Sequence, residues 1–490
     1  MFISVIIGEN KMKISEIFNL NKSQFELDFV DIDPEVDTPL FLDPYFISKS
    51  DTEFGRAAYF LLNDFFSTLL SSLNNGNIVR AQELFSYLGE NNELCLGLSR
   101  GTPSGKGMGP KDSERIFKEL LNSKALYSGL LSDIEDFRLF VRNVDRDKIS
   151  DMTGNIIKSL LLQYTQDQCE LLGIPLIDGV PTGYYWDLNT HSWENRYGKS
   201  FICYDRKILL VPKRFVSYSN EYCSEKYLRN FALNFLQNEH LRLNTHLVEN
   251  RKDGTPFVTK KSIEEEEHIS DKKDWLVDFT SRHREVFADF KENAIKAMKP
   301  VSNEELTDIK LSDICLYLSN VLEQLPTGTN YASTYQHIVL GVLELLLYPD
   351  ITYPKLEHNI HDGRKRIDIT FDNCAETGFF YRLKTTYGIS APIIMIECKN
   401  YSNDIRNPEI DQLIGRFSAR RGMFGISTSR KFENKQLILK RCQDTYVDSG
   451  NVIFPIEDAD FITLLKNYPM EGRACVERYL QNLFRTIVIN

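Results

Sequence analysis

The sequence predicts an α+β multidomain protein, with a helix-rich N-terminal region that has a β-containing middle and an α/β core in the C-terminal third. Three observations carry this. At 490 residues the chain exceeds one ordinary compact domain. Apolar residues recur at helical spacing through much of the first 172 positions, then give way to turns and short strands over 173–215. Beyond a Pro-Thr-Gly-Thr-Asn break at 326–330, apolar strands with single acidic residues alternate with helices.

Taken in order, the first fifty residues mix short β-like runs with acidic turns. Phe60, Leu61, Phe65, Leu69 and Leu73 mark a helix from about 56 to 73, and a second helix runs near 79–88. The segment 149–172 reads as one long amphipathic helix. The run ILLVPKRFV is the clearest strand of the middle part, and helix returns over 222–248. The charged stretch 249–273 suggests an exposed loop or linker, with a candidate subdomain break near 250–275. Residues 1–325 are thus expected to form a recognition, sensor or oligomerisation region, and 326–490 a separate domain.

Composition narrows the function. The 42% apolar and 26% charged content is ordinary for globular chains. A net charge of −11 excludes a uniformly basic nucleic-acid wrapper but permits a local basic patch. The start, MFISVIIGENKMK, lacks a secretory pattern, and no window approaches the ~18 apolar residues of a spanning helix. The nine cysteines show no CxxC or zinc-ribbon spacing. A soluble cytoplasmic protein with reduced thiols and no membrane partner is expected.

The chemistry gathers after the break. A helix over 331–347 precedes the strands RKRIDITFD and APIIMIECKNY, a helix from about 408 to 420, the strand MFGIST, a helix around 437–446 and a last strand NVIFPI. Strand alternation puts Glu397 and Lys399 on one face, away from Ile394, Ile396 and Cys398, and Arg366 and Asp368 opposite Ile367 and Ile369. If the two strands are neighbours, Asp368 and Glu397 converge as a hard-oxygen site suited to Mg²⁺. Lys399 then stands where it can orient or deprotonate a water, or offset developing negative charge. Glu344, the single charge in VLGVLELLLY, is expected to find its partner in that site.

The order Asp368, a span of variable length, then Glu397-Cys398-Lys399 resembles the PD-(D/E)xK nuclease superfamily, which includes restriction endonucleases. The resemblance covers roughly 328–490 and implies a restriction-endonuclease-like αβββαβ core. It also implies a metal site of Asp368 and Glu397 completed by Glu344 from the first core helix, with Mg²⁺ as cofactor and Mn²⁺ as its substitute. Gln412, in NPEIDQLIGRF, matches the glutamine of the Mrr-like branch, with Asn407 and Pro408 as N-cap and N1. Two features depart from the pattern. Ile367 stands where many members have proline, and CAETGFFYRLKTTYGIS lengthens the interval before Glu397.

Between 397 and 444, ten Lys/Arg face six Asp/Glu, a local balance of +4. Arg366, Arg416, Arg420 and Arg421 are the candidates for backbone phosphates. The expected activity is a Mg²⁺-dependent endodeoxyribonuclease of a bacterial restriction or phage-defence kind, with DNA as partner and a homo-oligomer or defence-system protein as a further one. The alternatives are RNA as substrate, or a catalytically silent binding or sensor protein. Other features read more simply. GTPSGKGMG fails the phosphate-loop spacing, with Arg100 and Lys106 left as candidate nucleic-acid contacts. His240 and His246 face different sides of a helix, the Asp28–Asp43 acids fit turns, and Tyr184, Tyr185, Trp186 and Trp193 fit a core.

Overall fold

A computed structural model describes residues 12–97, 110–218, 220–360, 365–401 and 407–489. The glycine-rich 100–109 segment, including Arg100 and Lys106, lies outside them, as does Arg406. The chain is α+β: helices and short two-stranded sheets up to residue 324, then one five-stranded sheet flanked by helices.

One hydrophobic core runs from Ile14 to Val301 and takes in Val258, Ile263 and Leu276, so the charged 249–273 stretch is built into it. That stretch forms a two-stranded hairpin, Glu249–Asn250 with Pro256–Phe257, and the helix Lys260–Glu266. The expected long helix over 149–172 is two helices, Arg146–Ile156 and Lys158–Leu172, broken at Ile157. The run ILLVPKRFV is not a strand. Val216–Ser217 pairs with Phe41–Leu42, Pro212 makes an isolated bridge with Phe29, and Lys213–Phe215 is a 3-10 turn. Apolar content there reflects burial among helices rather than a sheet; Ile208 to Val211 are all at most 2% exposed. Trp186 and Trp193 pack around Phe65, with indole N–H groups bonded to Asp64 and the Leu84 carbonyl. His240 bonds Thr245, while His246 lies beside Glu266.

The second core runs from Ile314 to Ile487 and includes Phe25 from the N-terminal region. The helix Leu311–Gln324 lies upstream of the expected boundary, yet it packs in this second core through Ile314, Cys315, Leu318 and Leu322. The order is then α1 (Ala332–Leu347), β1 (Ile351–Ile360), β2 (Lys365–Asn373), α2 (Gly378–Thr385), β3 (Ile393–Lys399), α3 (Asn407–Ile414), β4 (Phe424–Ser429), α4 (Lys435–Ser449), β5 (Val452–Glu457), α5 (Asp458–Glu471) and α6 (Arg473–Val488). The sheet order is sequential: β1, β2 and β3 pair antiparallel, and β3, β4 and β5 parallel. β1 went unread because YPKLEHNI carries no clean alternation. The insertion before Glu397 folds as α2, with Phe379, Phe380 and Leu383 buried. α3 is shorter than the expected 408–420 helix, so Arg416, Arg420 and Arg421 fall in the turn beyond it.

The two regions are joined by polar ties. Arg214 donates to the carbonyls of Pro349 and Cys374 at 2.8 Å and meets Glu376 at 2.9 Å. The Tyr353 hydroxyl donates to Asp167 at 3.0 Å. Among the described residues no helix is long and apolar enough to cross a membrane. All nine cysteines are buried and unbonded.

Candidate active site

The sheet changes from antiparallel to parallel at β3, and Glu397 and Lys399 sit at that strand's carboxyl end. Open α/β sheets leave their ligand crevices at such ends. The β2–β3 register sets Ile369 opposite Ile396 and Thr370 opposite Met395. One further step brings Asp368 level with Glu397, and strand alternation puts both on one face. The Cys398 amide donates to Asp368 Oδ2 at 2.8 Å, tying the two strand ends.

Glu397 is 1% exposed and Lys399 9%. Lys399 Nζ donates to Glu397 Oε1 at 2.8 Å and to Gln412 Oε1 at 3.1 Å. α3 therefore covers the Glu397 face and delivers Gln412 to the lysine. Burial pushes the Glu397 carboxyl above its ordinary range and Asp368 adds to the rise; Lys399 and Arg416 oppose it. Burial disfavours charge on Lys399, but Glu397 and Asp368 outweigh it and raise the lysine's pKa. The lysine is thus held as a cation.

Parallel pairing sets Ser427 beside Glu397 and Ser429 beside Lys399. These two serines, which the sequence reading missed, were legible as alternate positions of the strand FGISTS. Buried polar atoms are ordinarily hydrogen-bonded. Here Glu397 Oε2, Ser427 Oγ, Ser429 Oγ and Arg416 Nε are buried without a hydrogen-bond partner among the described residues. Arg416, expected on an open face, is only 8% exposed, and its charge acts on Glu397. The unmatched oxygen of Glu397 and the three unmatched atoms near it supply donors and acceptors to hold water, a hard cation or phosphate oxygens.

Glu344 does not join this group. α1 covers the opposite face of the sheet: Tyr335 lies against Thr428 and Cys398, whose side chains point away from Glu397. Glu344, nine residues on, stands about half a turn round the helix from Tyr335. It faces the N-terminal region, where its Oε2 lies 3.6 Å from Lys213 Nζ, both residues 0% exposed. Burial raises its pKa to about 8; Lys213 lowers it and Asp28 raises it further. Asp28 is itself bonded by the Tyr164 hydroxyl at 2.7 Å. The expectation of a partner for Glu344 holds, but the partner is Lys213. No sequence period links two residues 131 positions apart.

The remaining basic candidates divide. Arg366, exposed near the start of β2, pairs with Glu357 at 3.0 Å. Arg421 donates to the Arg416 carbonyl at 2.8 Å, and Arg420 is exposed. Arg430 and Lys435, counted in the positive balance, are committed to Asp458 and to Glu457 and Asp460. Part of the local positive charge is therefore structural. Asn400, next to Lys399, donates to the carbonyls of Pro326 and Gly328, pinning the 326–328 connection beside the site.

Among the described residues no group of three or more His, Cys, Asp or Glu is arranged as a metal cluster. Asp368 and Glu397 supply two carboxylates. That donor set fits Mg²⁺, which binds through one or two carboxylates and keeps several waters for itself and for phosphate. No curated protein matches the chain. Residues 19–223 match the model of a family described as Domain of unknown function (DUF8370), which lies wholly upstream of the acid–lysine site.

Proposed function

We propose that the chain is a metal-dependent nuclease that hydrolyses phosphodiester bonds of DNA at the β2–β3–α3 site, with the N-terminal region as its recognition or sensing part. The supporting observation is the acid–lysine pair of Glu397 and Lys399 set level with Asp368 and ringed by unmatched buried polar atoms. The resemblance to PD-(D/E)xK nucleases points the same way, and a bacterial restriction or phage-defence role follows by analogy with that superfamily.

Asp368 and Glu397 would hold Mg²⁺, or Mn²⁺ in its place. Such an ion polarises the scissile phosphate and lowers the pKa of an attacking water. Lys399, kept charged by its two acids, acts as a donor rather than a base: it orients the water and offsets negative charge gathering on the phosphate. Gln412 fixes the lysine's direction. Arg416 is placed to give its unmatched N–H to a phosphate oxygen, and the exposed Arg420 to meet the backbone farther out. The water oxygen forms its bond to phosphorus as the ester bond breaks. The departing alkoxide takes up a proton from solvent, and the water's proton passes to solvent or to a non-bridging phosphate oxygen.

The test is cleavage of plasmid, linear DNA and RNA by the purified full-length protein with Mg²⁺, Mn²⁺ or EDTA, beside Glu397→Gln and Lys399→Met. Metal-dependent cleavage of DNA, lost by about 10²-fold or more in both variants, is expected. Cleavage of RNA alone would move the substrate without moving the site. Identical behaviour of wild type and both variants would sink the proposal and leave a silent binding protein.

A further inference from the structure

A second site stands in the N-terminal region, more than half of it within the stretch that matches the family of unknown function. A cavity of about 270 Å³ opens between the 41–49 segment, the helix Glu53–Asn74, the 133–146 segment and the helix Arg284–Ala297. That volume lies near the lower end of small-molecule pockets, ~300–1,000 Å³. Its walls include Phe41, Leu62, Phe66 and Ile149, and the phenol rings of Tyr45, Tyr59 and Tyr222.

The charged groups around it are matched, with two exceptions. Asp43 accepts from the Tyr45 amide at 3.1 Å and from Ser217 Oγ at 2.9 Å. Asp136, just behind the wall, accepts from the Tyr222 hydroxyl at 2.7 Å and pairs with Lys291 at 3.0 Å. Asp133 lies 3.7 Å from the same lysine. Arg146 donates to the Tyr218 carbonyl and lies over the Phe41 ring, and Arg138 donates to Asn220. Among the charged side chains that line the cavity, those of Glu135 and Lys49 make no hydrogen bond and no ion pair among the described residues, and Lys49 lies over the Tyr45 ring; Glu135 is the acid of the two. Its surroundings make that costly. Burial raises its pKa well above the ordinary value, and the charges of Asp43, Asp133 and Asp136 raise it further; Lys291 opposes.

An unmatched acid near other acids, in a cavity lined by aromatic residues, is suited to one kind of guest. Such an acid gains most from a cation that donates N–H bonds, and ring faces favour the same charge. We propose that this cavity binds a small organic cation, an ammonium or guanidinium group on a compact apolar or aromatic body, with Glu135 as the anchor. Arg138, Arg146 and Lys291 are engaged and Lys49 lies over the Tyr45 ring, which makes an anionic guest the poorer fit.

The test uses the full-length protein and three probes, followed by calorimetry and by thermal unfolding. Tyramine and agmatine carry the two cationic groups, and 4-methylphenol is a neutral ring without one. At least one cation is expected to bind with Kd below about 1 mM and to raise Tm. Glu135→Gln should weaken that binding at least tenfold while leaving the unliganded Tm at or above wild type, because it removes an acid that has no hydrogen-bond or ion-pair partner. Ser48→Trp, which adds bulk to the cavity lining and keeps Glu135, should abolish binding. Which cation binds distinguishes an amine guest from a guanidinium guest. The proposal is overturned if neither cation binds wild type, if Glu135→Gln binds as wild type does, or if 4-methylphenol binds equally well.

Discussion

Removing the Glu344 carboxylate tests whether that acid serves catalysis or the seam between the two regions. Glu344→Ala leaves Lys213 fully buried, its Nζ without a hydrogen bond and its remaining favourable interactions the Tyr348 ring, 4.3 Å from Nζ to centroid, and the charge of Asp28. Breaking a buried pair from one side costs roughly 3–5 kcal/mol. A ceiling can be worked out independently. The stranded lysine can shed its proton, which from an ordinary pKa near 10.4 costs about 1.4 kcal/mol per unit, or ~4.6 kcal/mol at pH 7. The ceiling falls to ~2 kcal/mol at pH 9 by the same rule. With its pKa near 8, Glu344 is largely protonated at pH 7, so denaturant unfolding should show a loss of about 1–4.6 kcal/mol at pH 7 and of no more than ~2 kcal/mol at pH 9. The double variant Lys213→Met with Glu344→Leu should recover most of that loss, since apolar replacement of a buried pair is often neutral, and should still cleave nucleic acid. A loss below ~1 kcal/mol at pH 7 would refute the seam reading. So would a folded double variant as inactive as Glu397→Gln.

Three further outcomes are expected. Burial and Asp368 raise the Glu397 pKa, and a protonated carboxyl cannot ligate, so half-saturating Mg²⁺ in the cleavage assay should climb as pH falls toward the ordinary carboxylate range; a flat profile from pH 8 to 5 contradicts the assignment. Ser427→Ala removes a buried hydroxyl without a partner, so Tm should stay level or rise while cleavage drops about tenfold; a Tm loss of the size of a broken hydrogen bond, ~1 kcal/mol, would make the serine merely structural. A Cβ on Gly341 would lie 2.9 Å from Glu26 Oε1 and 3.3 Å from Lys22 Nζ, so Gly341→Ala should cost about 1–3 kcal/mol in urea unfolding, and a neutral result would mean the N-terminal segment yields freely.

The chain by itself determined whatever depends on local period. Alternation in IIMIECK and RKRIDITF placed Glu397 and Lys399 on one face and Asp368 on its own strand's polar face, because a strand's side chains repeat every two residues whatever surrounds them. Helical spacing likewise located the helices around 53–74 and 332–347. Tertiary structure decided what rests on residues far apart. It sent Glu344 to Lys213 and away from Glu397, because the helix face that packs on the sheet is not the face that carries the acid. It turned ILLVPKRFV from an expected strand into buried irregular chain, since apolarity records burial and not its geometry. It also set Ser427 and Ser429 beside the acid–lysine pair and left Glu135 unmatched in its cavity. Both follow from packing in three dimensions, to which a local reading of sequence is blind.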